Sequence, residues 1–76
     1  MIIRDILKHI LVDQRLTQTA VASRLGITRG TMNNRVMRNN ISVETLNETL
    51  NAIDYKLVVM PVSAKTPKDA YDVTFE

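Results

Sequence analysis

Cysteine and tryptophan are absent from the 76 residues, and histidine occurs once, at His9. Without cysteine there can be no disulfide and no thiolate ligand for zinc. One imidazole leaves a histidine metal site short of ligands, so no metal and no cofactor is expected. Glycine and proline number two each, and no glycine-rich loop could cradle a phosphate. A long uncharged apolar run is also missing. The stretch from Met1 to Val12 is apolar, but Arg4, Asp5, Lys8 and His9 interrupt it, so neither a signal peptide nor a membrane span is expected. A cytoplasmic bacterial or phage protein is the expectation, and the glycosylation-like triplets at Asn40 and Asn47 then read as chance. No nucleophile lies beside a base. Glu44 and Glu48, four apart, read as a solvated helix surface rather than a catalytic pair, so an enzyme is the least supported class.

What is present fits one small domain with a thin core, for which self-association is the most available further source of stability. The net charge of +2 conceals an asymmetry. Residues 1–40 hold seven basic side chains (Arg4, Lys8, Arg15, Arg24, Arg29, Arg35 and Arg38) against Asp5 and Asp13, a net +5. Residues 41–76 hold Lys56, Lys65 and Lys68 against six acids, a net −3. A solvated surface of mixed charge would have the same composition, but the split also suits a first part that meets a polyanion.

Apolar periodicity predicts four helices. Ile3, Ile6, Leu7, Ile10 and Leu11 form one face of a first helix over about residues 2–13, with His9 on its surface. Thr17 is a good N-cap for a second helix ending near Leu25, with Ala20, Val21 and Leu25 as its apolar positions and Ala22 small enough for close approach. Gly26 can take the left-handed conformation that ends a helix. Thr28 caps a third helix from Arg29 to Met37, with Met32 and Val36 inward. Ser42 caps a fourth, with Val43, Leu46, Leu50 and Ile53 inward and Asp54 ending it. The period then changes. Tyr55 to Val62 is β-branched and aromatic, which predicts a strand. Tyr71 to Phe75 alternates and predicts a second.

The runs Leu16-Thr17-Gln18, Val21-Ala22, Leu25-Gly26-Ile27-Thr28 and Ser42-Val43-Glu44-Thr45-Leu46 occur in that order over residues 15–53. In this the chain resembles the helix-turn-helix family of phage Cro and lambda-type repressors. It departs from the family at Arg35, where an apolar residue is usual, and in a connection before Ser42 that is shorter and lacks glycine. The resemblance implies a mostly α fold: a four-helix lambda-repressor-like DNA-binding domain over residues 1–54. The residues beyond it are expected to add a C-terminal β-strand or β-hairpin over residues 55–76, used for dimerisation. The resemblance places Thr28, Arg29, Gly30, Asn33 and Asn34 against base edges, where arginine suits guanine and asparagine suits adenine. It makes Gln18 a phosphate contact, and its neighbours Thr17 and Thr19, with Arg35, Arg38, Asn39 and Asn40, are further candidates.

An isolated strand leaves backbone groups unpaired. Antiparallel pairing of Tyr55, Leu57, Val58, Val59 and Met60 with a second copy would satisfy them, and a hairpin with Tyr71 to Phe75 could do so within the chain. The expected function is sequence-specific binding of double-stranded operator DNA as a homodimer, in transcriptional regulation and most simply repression. Two alternatives use the same fold: the antitoxin of a toxin–antitoxin pair, whose tail grips a toxin, and a protein-interaction adaptor. No small-molecule partner is evident from the residues.

Overall fold

A computed structural model describes residues 1–38 and 40–75. The chain runs α1 (Ile3–Asp13), α2 (Gln18–Leu25), α3 (Arg29–Met37) and α4 (Val43–Asn51). The three expected caps are in place. Thr17 Oγ1 accepts the Ala20 N–H, Thr28 Oγ1 accepts the Thr31 N–H, and Ser42 Oγ accepts the Thr45 N–H, at 3.1, 3.1 and 3.2 Å. Each satisfies a donor that the first helical turn would otherwise leave unpaired.

Three helices end in the same hydrogen-bonded motif, built on three different residues. After α2, Gly26 sits at φ 68°, ψ 31°. Its N–H and that of Ile27 bond back to Ser23 and Ala22, the paired bonds of a Schellman motif. Arg15 (φ 56°) does the same after α1, and Asp54 (φ 63°) after α4. There Leu16 bonds to Leu11, and Tyr55 to Leu50. Only the α2 turn has the residue that occupies this region without steric cost. α3 ends differently: Arg38 leaves in an extended conformation (φ −72°, ψ 134°). Asn39, expected at a phosphate, lies outside the described residues.

The core is filled from every helix: Ile6, Leu7, Ile10 and Leu11 from α1, Val21 and Ala22 from α2, Met32 and Val36 from α3, Leu46 and Leu50 from α4, and Ile53 just beyond it. Val43 departs from expectation, being 73% exposed. It continues the stripe of Leu46 and Leu50, but at the first turn of α4 the stripe has already passed the edge of the core. Thr49 is buried in α4 instead, its hydroxyl donating to the Thr45 carbonyl at 2.8 Å. α4 is also shorter than expected. The left-handed turn at Asp54 closes it, yet Ile53 stays buried.

The expected C-terminal hairpin is not formed within the chain; among the described residues there is no strand. Among the described residues, no backbone N–H from Lys56 to Met60 donates to another backbone group. A strand is a pairing, and here the second expected strand is paired elsewhere. Turns at Pro61–Ala64 and Pro67–Ala70 lead the chain back. The amino group of Met1 donates to the Asp72 carbonyl at 3.1 Å, and the Thr74 N–H donates to the Met1 carbonyl at 2.9 Å. That is the hydrogen-bond pattern of a parallel pair between Met1 and residues 72–74. Tyr71 anchors the return, its ring 5.6 Å from His9 edge-on and 6.4 Å from Tyr55. Burial, then Tyr55 and Asp13, push the Tyr71 phenol above its ordinary pKa of 10.0.

Candidate nucleic-acid interface

α2 and α3 meet through Gly26, and Val21, Ala22 and Met32 are buried. Burying Met32 and Val36, four apart on α3, turns the opposite side of that helix to solvent. Arg29, Gly30, Asn33, Asn34 and Arg38 are all exposed. α3 therefore presents a polar, arginine- and asparagine-bearing face, held from behind by the core.

A concave surface lies on each side of it. One, of about 720 Å³, is lined by Thr17, Gln18 and Thr19 from the start of α2 with Arg29, Gly30 and Asn33 from α3. The other, of about 540 Å³, joins Asn34, Arg35, Arg38 and Asn40 to Thr31, Ser42 and Thr45. Residues expected to touch phosphate and residues expected to touch bases thus share each cleft, with α3 as the ridge between. The hydroxyls of Thr31, Ser42 and Thr45 were not among the expected site residues. Their signal was the Ser42 cap, which places the N-terminus of α4 beside the end of α3.

Besides Thr17, which caps α2, two expected positions are engaged within the chain. The Thr28 hydroxyl caps α3 and donates to Thr31 Oγ1 at 2.9 Å, which leaves it an acceptor only. Arg35 turns toward α4: its Nη1 donates to Glu48 Oε1 at 2.9 Å and lies 3.4 Å from Thr49 Oγ1, with the Arg35 side chain 18% exposed. This accounts for an arginine at a usually apolar position. Its stem covers the core edge while its head finds an anion on α4. Arg24 is also committed, donating to the Ala52 carbonyl at 3.0 Å.

Gly30 has no packing reason to be glycine. A Cβ there would meet only Thr28 Oγ1, at 3.9 Å, and glycine inside a helix costs about 0.5–1 kcal/mol relative to alanine. Of the expected dimer residues, Tyr55 is half-buried and Leu57, Val58, Val59 and Met60 are exposed. Among the described residues there is no group of three or more histidine or carboxylate side chains that could hold a metal, and no helix is long and apolar enough to cross a membrane.

No curated protein and no solved structure matches the chain. Residues 2–38, from the start of α1 to the end of α3, match the family model of winged helix-turn-helix DNA-binding domains, which supports a helix-turn-helix DNA-binding regulator.

Proposed function

We propose that the chain reads a specific double-stranded DNA sequence as a homodimer and regulates transcription, as a repressor of the Cro and lambda type. The observation that carries this is the outward face of α3 between two concave flanks. In this reading α3 enters the major groove and the flanks grip phosphates on either side. Arg29 forks onto a guanine, and Asn33 and Asn34 reach adenine edges. Gly30 lets the backbone approach the DNA. Thr17, Gln18, Thr19, Arg38 and Asn40 hold phosphates, while Arg35 positions α3 by its bond to α4. The four-helix arrangement, with α4 following α3 and no strand among the described residues, favours the repressor type over a winged one.

A second copy would place another α3 about 34 Å away on the same DNA face. Residues 55–60, in which the N–H groups of 56–60 find no backbone acceptor among the described residues and Leu57, Val58, Val59 and Met60 are exposed, are the segment we assign to the two-fold contact. The same segment would serve an antitoxin gripping its toxin, and a chain that stays monomeric on DNA would favour that reading.

Selection from a random DNA pool tests the proposal. A two-fold symmetric motif is expected, with Arg29→Ala costing about 1–3 kcal/mol at one base pair per half-site. Affinity should fall steeply with salt as counterions are released. Weak, salt-insensitive association with all sequences would sink DNA reading in favour of a protein adaptor.

A further inference from the structure

On the side of the molecule formed by α1, α4 and the C-terminal segment lies a cavity of about 390 Å³. Its floor is the helical core: Ile6 and Ile10 from α1 and Leu50 from α4. Its roof is the extended segment, including Leu57, Val58 and Met60, which makes no backbone hydrogen bond to another described residue. Such a volume lies within the roughly 300–1,000 Å³ of small-molecule sites, which are typically apolar with a few convergent polar groups.

The charged groups are mostly acidic. Asp54, Asp69 and Asp72 line the cavity with one ammonium, Lys56; the Asp72 carboxylate accepts from Thr66, and the Met1 ammonium lies 3.1 Å from the Asp72 carbonyl. This acidic surplus is the reverse of the arginine-rich first part of the chain. A low-dielectric cleft lined by one sign of charge concentrates the opposite sign. Two rings, Tyr55 and Tyr71, also line it, and aromatic faces attract cations. Apolar walls, tyrosine rings and surplus carboxylates together select a molecule that is hydrophobic over most of its surface and cationic at one end.

We propose that this cavity is a binding site for a small hydrophobic cation, an aryl or alkyl amine or quaternary ammonium. The site is separate from α3 and does not depend on the DNA reading. Asp54 is the carboxylate that can be tested without disturbing the fold. It closes α4 at φ 63°, a conformation that asparagine also tolerates, so Asp54→Asn removes the charge and keeps the turn.

The test uses the full chain, isotope-labelled, titrated with phenyltrimethylammonium and separately with its neutral isostere tert-butylbenzene. The expected result is saturable shifts at Ile6, Ile10, Leu50 and Tyr71 for the cation. The neutral isostere should bind at least about tenfold more weakly, about 1.4 kcal/mol. Asp54→Asn should weaken the cation several-fold and leave the isostere unchanged. Equal binding of the two probes would overturn the proposal, as would shifts on α3 or none at millimolar probe. Concentration-dependent shifts at the floor residues Ile6, Ile10 and Leu50 without any probe would also overturn it, because a second copy would then fill the cavity rather than pair along residues 55–60.

Discussion

The helical region, residues 3–53, and the segment that follows it are both well supplied with apolar side chains, and they use them in opposite ways. In the helices, Leu7, Ile10, Val21, Met32 and Val36 are almost wholly buried. Beyond Asp54, Val59 and Val62 are fully exposed and Phe75 is 84% exposed. The difference is one of geometry rather than composition. A helix satisfies its backbone internally and needs only its apolar stripe covered, and four such stripes converge on one centre. An extended segment must find both a backbone partner and a face to cover; the N–H groups of residues 56–60 have no backbone acceptor among the described residues, and their apolar side chains are only partly covered. Hydrophobic content alone therefore does not say where a core will be. An exposed run of this kind is instead a surface that association can use.

The largest test of that contrast is Ile10→Ala. It removes a wholly buried side chain from α1 and should cost about 2–5 kcal/mol in urea unfolding. Val59→Ser should change monomer stability by less than about 0.5 kcal/mol. If the two variants unfold alike, the segment belongs to the core after all. Gly26→Ala comes next. Nothing lies within 4 Å of the added Cβ, so the left-handed φ alone sets the cost, about 1–2 kcal/mol. Gly30→Ala has the opposite sign for the fold, a gain of about 0.5–1 kcal/mol. On the proposed function it should nonetheless weaken DNA binding, because the methyl group enters the α3–DNA gap. Tighter binding to DNA by the more stable variant would remove Gly30 from the interface.

Alkaline pH gives the smallest effect. The Tyr71 phenol has a raised pKa, so its contribution to folding is complete below pH 10.0 and is lost as pH rises through the higher folded value. The His9–Tyr71 contact should then loosen before the helices melt, visible as early changes at His9 in a pH titration by NMR. Simultaneous loss of helix signal would show that the tail and bundle unfold as one.

The parts of the molecule that sequence reading anticipated are local ones. Thr17, Thr28 and Ser42 cap within three residues of themselves. Gly26 turns the chain within six. The buried positions of α1 and α3 follow from periodicity. The left-handed turn at Arg15 had no such signal, because arginine does not prefer the conformation; Asp54 was read as the end of the fourth helix, and aspartate is one of the few side chains that visit that region. Val43 was misplaced because periodicity reports a face of a helix but not where along it the core stops. Arg35 could not be assigned to Glu48, thirteen residues away, before α3 and α4 were placed side by side.

Residue order by itself determined the four helices, their caps, the glycine turn and the polar side of α3, because these depend on hydrogen bonds and spacings within a turn or two of chain. Tertiary structure alone decided that Met1 would take the edge beside residues 72–74, that Arg35 would face α4, and that a cavity would open beneath residues 55–60. Those outcomes join groups up to 71 residues apart, and which of several competing partners wins depends on how all the helices pack at once.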